Sequence, residues 1–486
     1  MEAILSAVIG DFVSRFISFM TSKYSDLACS EEKQVERLQQ LLVRVHAVVE
    51  EANGRYITNS GMLLQLKMLA EAMYNGYHAL DTVKCNRLIK EGSNEGTSGP
   101  FALCLGTPLK RARANSSRSN HRVGGSDLLH GTLSNLETLV SNLTEFAILL
   151  GGCERMSRRP YDTYLYVDNF MFGRSIEKQK VLNFLLLHHN APGSPAVLPI
   201  TGDNLVGKKT LVANVCNDKR VRGHFASVLH LNGDKFCAED HGRCASAAGR
   251  TLIVVIFASD VDCEEWKKIH HAVACINTES KVIIVSRKES SVKYGTVKPI
   301  RLTRLPAEEY IYLFKTLAFG SADPKDHPNL TPIAIELATM LGGSFVAAYS
   351  LASVLRKDVS FQFWLSIFNR YKNVTENNLS MFGEHLSLRI RRRAPVDITS
   401  FLPSPAAPLL LTRPRTETEV SQRRLPKVTM ADLIVDPTIR PKGDFDLVKW
   451  KSRLPPYTEF SYFVPSCAEQ RHKTTARRKR EAAICP

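Results

Sequence analysis

Apolar positions in the first 150 residues recur at helical spacing. Ile4, Leu5, Val8, Ile9, Phe12, Val13, Phe16 and Ile17 make one broad band. Val35, Leu38, Leu42, Val45 and Val49 step by three and four, a heptad seam, with Glu31, Glu32, Lys33, Glu36 and Arg37 off it. A third band holds Leu66, Leu69, Met73, Tyr77 and Leu80, with Gly76 as a weak point in the helix. A fourth holds Leu129, Leu133, Leu136, Val140, Leu143, Ala147 and Leu150. Seams of this kind bury best against one another, which predicts a four-helix bundle over residues 1–155. Residues 91–127 are rich in Gly, Ser, Asn and Arg, include Lys110 to Arg113, and read as a flexible loop.

The period then changes. Ala196 to Thr201, Ala226 to Leu231, Thr251 to Phe257 and Lys281 to Ser286 are short, apolar and largely β-branched. Such runs read as buried parallel strands. Helical stretches alternate with them, so residues 156–305 are expected to form a doubly wound parallel sheet with its ligand at the carboxyl ends of the strands. Pro199 sits awkwardly there, since a central strand loses a ladder hydrogen bond at proline. Residues 306–385 return to helical spacing, interrupted at Gly342-Gly343. Beyond Glu384 prolines and charges scatter. Residues 386–486 are expected to be a basic, largely irregular tail, except around Val428 to Ile434 and Phe445 to Trp450.

Charge sharpens that last division. The chain carries 64 Lys+Arg against 48 Asp+Glu, and +10 of the +16 excess falls from Leu386 onward. A solvated tail is the expected meaning, with an acidic partner as the alternative. The 11 cysteines include no C-x-x-C pair, which argues against a disulfide framework and for a reducing compartment. Cys237, His241, Cys244 and Cys263 match no common zinc spacing, and no metal site is expected. No signal peptide or membrane span is apparent. A soluble protein of the cytoplasm, with the nucleus as a second compartment, is expected.

The chemistry concentrates after the first strand of the sheet. Gly202, Gly207 and Lys208 fit the phosphate-loop spacing G-x-x-x-x-G-K, with Asp203, Asn204 and Val206 inside the loop. Backbone N–H groups of such a loop and the helix behind it cradle phosphate oxygens, and Lys208 would reach the terminal phosphates. The next position should offer a hydroxyl to magnesium. It is Lys209, and Thr210 comes one residue late. The apolar strand at Thr251 should end in an acid for the magnesium shell. It ends Phe257-Ala258-Ser259, with Asp260 and Asp262 beyond. The spacing predicts a retained cradle with a damaged metal grip.

The order of these features resembles the coiled-coil class of plant nucleotide-binding (NB-ARC) disease-resistance proteins, in a divergent form found in grasses. The features are the helical bundle, Phe172-Gly173-Arg174, the phosphate loop, a strand ending Ser286-Arg287, Tyr312 to Phe319 and a Gly-Gly helix. The likeness spans roughly residues 1–385. It implies a module that holds ADP at rest and exchanges it for ATP. It implies that Phe172, Gly173 and Arg174 contact the adenine side and that Thr210 matches the second hydroxyl position. Arg287 would sense the terminal phosphate. Several departures stand out. Asn204-Leu205 replace two glycines, and Phe257-Ala258 replace paired acids. Gly343 to Val346 replaces Gly-Leu-Pro-Leu, and Tyr77 to Asp81 is the remnant of an acidic motif. No winged-helix end and no leucine-rich period are visible.

The combined expectation is a degenerate ADP- or ATP-binding immune protein with magnesium binding disfavoured and no catalytic residues. Its partners would be other proteins met through the helical bundle, or a second copy. Nucleic acid is not expected. An active ATP-hydrolysing switch is the first alternative, and a nucleic-acid-binding regulator using the basic tail is the second.

Overall fold

A computed structural model describes residues 31–94, 125–156, 167 and 171–466, apart from 188–194, 248, 261–262, 275, 277–278, 385, 393, 403–407 and 414–422. The first apolar band, most of the loop at 91–127 and the terminal basic run lie outside these residues. The chain divides into two compact units. One comprises 1–166, 306–313 and 327–335, and the other takes the remainder.

In the first unit the seams become helices α1 (Glu31–Asn53), α2 (Ser60–Asn94), α3 (Gly125–Ser141) and α4 (Leu143–Gly151). Leu38, Leu42, Val45 and Val49 of α1 are all buried, as the heptad spacing requires. The fourth seam is split between α3 and α4 at Asn142, and in α4 Phe146 rather than Ala147 is buried along with Leu143 and Leu150. Gly76 has a packing reason. A Cβ there would lie 2.6 Å from Leu42 Cδ2 and 3.2 Å from Leu136 Cδ1, so α1, α2 and α3 meet at this glycine. A two-residue ribbon, β1 (Arg55–Tyr56) with β2 (Glu154–Arg155), closes the unit. Arg55 donates to the carbonyls of Leu150, Gly151 and Cys153 at 3.1, 3.2 and 2.8 Å, capping the end of α4.

The second unit opens with α5 (Ser175–Leu186) and β3 (Ala196–Gly202), followed by α6 (Lys208–Cys216), α7 (Lys219–His224) and β4 (Ser227–Asn232). Then come α8 (Ala238–Ala245), β5 (Thr251–Ile256), α9 (Cys263–Ala274), β6 (Lys281–Val285) and β7 (Ile300–Leu302). The five strands form one sheet in the order β4-β5-β6-β3-β7. Every neighbouring pair in it is parallel. Ile253, Val255 and Phe257 point from one face of β5 into a core completed by Leu231, Trp266 and Ile269.

Pro199 fits because of where its missing donor falls. Ile200 O accepts from Ser286 on the β6 side, so the N–H sites of residues 197 and 199 face the other way. On that side β7 pairs only from Ile200 onward. Gly295 packs there instead, leaving room for the proline ring at 2.5 Å from where a Cβ would sit. Lys281 is buried at the start of β6 and donates to the carbonyls of Phe184, Leu185 and Leu187 at 2.7, 3.0 and 2.7 Å. A charge is thus spent on capping the last turn of α5. Burial, then the charge of Arg250, lowers its ammonium to about 8.

Helices α10 (Ala307–Phe319), α11 (Leu330–Leu341), α12 (Phe345–Leu355), α13 (Phe361–Phe382) and α14 (Leu386–Arg391) follow. Gly342 and Gly343, both at positive φ, separate α11 from α12. Beyond Glu384 the chain holds more regular structure than its pattern indicates. Both sequence-marked exceptions are elements: β10 (Lys427–Thr429) with α15 (Met430–Val435), and β11 (Phe445–Lys451). Short β8 (Val396–Asp397) and β9 (Leu410–Leu411) precede them, and β12 (Glu459–Val464) pairs antiparallel with β11. These strands escape notice because they are short and their apolar residues do not alternate cleanly. Aromatic stacking supports the β11–β12 pair, with Trp450 and Phe460 rings 5.6 Å apart.

Candidate functional site

The site forms where β3, β6, β5 and β4 end along one edge of the sheet. Because the strands are parallel, their carboxyl ends lie together, and each is followed by a loop carrying polar residues. Gly202 ends β3 at φ 147°, and a Cβ on it would come within 2.2 Å of Leu302 O. The loop then passes Asp203, Asn204, Leu205 and Val206 to Gly207. Val206 is buried and anchors the loop, while Asp203 and Leu205 are exposed. Gly207, at φ 92°, is the N-cap of α6. The first backbone N–H groups of α6 therefore point back over the loop.

Lys208 is buried and folds over this loop. Its Nζ donates to Gly202 O at 2.7 Å and to Asp203 O at 2.6 Å. Burial, then the charge of Arg287, lowers its ammonium to about 8; Asp203 opposes the shift and Lys209 adds to it. Lys209 is exposed and Thr210 half-buried on the first turn of α6. A lysine offers no oxygen to a metal ion and repels it.

Leu205 occupies left-handed backbone at φ 61°, where the resemblance expects glycine. A β-carbon there costs roughly 1–2 kcal/mol. Leu205→Gly should therefore raise stability, by about 0.5–1 kcal/mol once glycine's freedom in the unfolded chain is offset. Urea denaturation checks this, and an unchanged or lower midpoint would contradict it.

Phe172 is buried and Gly173 adopts φ 66°. Arg174 is buried, and its guanidinium donates to Val206 O at 3.3 Å and Thr303 O at 2.5 Å, with Glu177 at 3.7 Å. It ties the phosphate loop to the segment after β7. Arg287 follows β6 and donates to Ala258 O at 2.6 Å, beyond the end of β5. Phe257 is a core residue, so the first acid position of the resemblance is filled by packing. Asp260 is paired with Lys288 at 3.3 Å. Asp262 lies outside the described residues.

Two acids outside the sequence motifs stand at this edge. Glu289 accepts from Thr201 at 3.1 Å and from Arg301 at 3.0 Å. Asp234, just past β4, accepts from the backbone of Ala258 at 2.7 Å and of Ser259 at 3.1 Å. Burial pushes its carboxyl up, but the hydrogen bonds from Ser259 and Ala258 and the charge of Arg287 hold it below its ordinary value. The turn sequence Asn232-Gly233-Asp234 was the available signal; its destination depends on strand order.

The N-terminal region matches a known domain. Residues 8–120 match the Rx N-terminal domain family. Over 351 residues the chain is 23% identical to the disease resistance protein RGA2 of Solanum bulbocastanum, covering 67% of this chain and 34% of that protein. The domain match and this likeness point the same way. Together these likenesses support a coiled-coil NB-ARC class protein. It is also 26% identical over 232 residues to the putative disease resistance RPP13-like protein 1 of Arabidopsis thaliana, covering 47% of this chain and 21% of that one. This chain spans about a third of the length of RGA2. Among solved structures, domain III of the Thermotoga maritima replication initiation protein DnaA aligns at TM-score 0.29 and 13% identity, covering 42% of this chain and 96% of that one. No helix among the described residues is long and apolar enough to cross a membrane.

Proposed function

We propose that this chain is a disease-resistance-like protein whose NB-ARC module holds a nucleotide without relying on magnesium. ADP is the expected resident, with ATP as its competitor. The observation behind this reading is a positioned cation, Lys208, next to a lysine at the position of the magnesium hydroxyl. Lys208 sits on the loop carbonyls, with Arg287 in charge range, while Lys209 stands where a hydroxyl would ligate magnesium. Two cations beside the cradle favour diphosphate oxygens and disfavour a divalent ion at the same spot. Such a site would hydrolyse ATP poorly and would serve binding and signalling. The helical bundle would supply contacts to other proteins or to a second copy.

Lys209→Thr tests this reading. Restoring the hydroxyl should make ATP binding magnesium-dependent, with affinity at least about fivefold higher when the ion is present. Titration of a fluorescent ATP analogue with and without magnesium reads it out. An original chain already as magnesium-dependent as the variant would contradict the proposal.

A further inference from the structure

Phe257, Ala258 and Ser259 lead away from β5, and a carboxylate from the neighbouring strand meets them. Gly233 is drawn tightly against β5. Its N–H donates to Ile256 O at 2.8 Å, and the Phe257 ring lies 2.4 Å from where a Cβ would sit. That close approach delivers Asp234 to the strand end. One carboxylate oxygen accepts from Ala258 N at 2.7 Å, and the other accepts from Ser259 N at 3.1 Å and from the Ser259 hydroxyl. Ala258 is therefore held from both sides: Asp234 takes its N–H, and its carbonyl accepts from the Arg287 guanidinium at 2.6 Å.

We propose that Asp234 is a positioning residue for Arg287: by clamping the Ala258–Ser259 turn, it sets where the guanidinium rests and how it meets a terminal phosphate. The proposal rests on the nucleotide-binding reading above. Both oxygens of Asp234 are committed to the turn, so its role is to hold backbone. Asp260 does not duplicate it, since that carboxylate is shared between Lys288 and the Ser290 hydroxyl, each at 3.3 Å. The Arg287 guanidinium rests on Ala258 O at 2.6 Å, and its charge bears both on Asp234 and on Lys208. An asparagine at 234 has a single acceptor oxygen and would present an N–H₂ group to one of the two amides. The turn would then lose one hold, and Arg287 would lose its fixed acceptor.

The test uses the full chain. ATP and ADP affinities are measured by calorimetry for the original protein, Asp234→Asn, Arg287→Gln and the double variant. Each single variant should weaken ATP about tenfold and leave ADP within about twofold, because only the third phosphate meets Arg287. The double variant should be no weaker than either single one, the mark of two residues acting as a unit. Ser259→Ala keeps both backbone donors and should keep the ATP preference. In parallel, hydrogen exchange at the Ala258 and Ser259 amides should quicken in Asp234→Asn and stay put in Arg287→Gln. Equal weakening of ATP and ADP by Asp234→Asn, or additive losses in the double variant, would overturn the proposal. If the original chain bound neither nucleotide, the binding reading would fall. The exchange arm would still judge the clamp, which unchanged exchange in Asp234→Asn would overturn.

Discussion

Gly202→Ala should unfold the phosphate loop and cost about 3 kcal/mol of stability. The new methyl would sit 2.2 Å from Leu302 O, and the backbone at φ 147° disfavours any β-carbon. The strand cannot relax sideways without breaking the Gly202–Leu302 pairing between β3 and β7. Nor can the loop relax forward, because Gly202 O is an acceptor for Lys208 and Val206 O for Arg174. Thermal melting and nucleotide titration of the same sample would read the effect. By contrast, a Cβ on Gly207 would meet nothing within 4 Å, so its constraint is the φ of 92° alone. Gly207→Ala should therefore be the milder change. A Gly202→Ala protein with the original melting temperature and affinity would contradict this account of the loop.

Lys208→Ala should lower nucleotide affinity about 100-fold, the equivalent of roughly 2.7 kcal/mol for a charge-assisted contact. A pH dependence accompanies it. Burial and the charge of Arg287 hold the free lysine at about 8. A bound phosphate stabilises the ammonium and raises that value, so binding takes up a proton. Affinity should be flat below about pH 7 and fall as pH rises through about 8, by up to tenfold per pH unit until the bound-state value is reached. In Lys208→Ala this fall should vanish. Calorimetry in buffers of different ionisation heat measures the proton uptake directly. A fall of the same size in Lys208→Ala would assign the titration to another group.

Much of the sheet could be read from residues because its strands are buried on both faces. Runs such as Thr251 to Ile256 have no polar alternative, so their apolar content announces them. The strand–loop–helix turn from Gly202 to Lys208 was equally plain, since its two glycines stand where the backbone takes positive φ. Other features depend on neighbours distant in sequence. Pro199 looked unsuited to a central strand, and only the late start of β7 explains its tolerance. Gly76 looked like a weak point until Leu42 and Leu136 were seen against it. Arg174 was tied by resemblance to the adenine side, and the two carbonyls that take its guanidinium come from segments distant in sequence. Asp234 was passed over because the acid was sought on β5 itself. It arrives from β4, and only the pairing of Asn232 with Ile256 brings it there. The strand Glu459–Val464 escaped because its one firm partner, β11, lies across a proline-rich turn and neither strand alternates cleanly.

The central claim is a nucleotide cradle that has kept its phosphate contacts and lost its metal. Titration calorimetry of the full chain with ADP, in magnesium and then in excess chelator, tests it most directly. Saturable ADP binding with affinities within about twofold of each other in the two buffers is the predicted result. No heat and no thermal stabilisation with ADP, or binding that disappears in chelator, would contradict it.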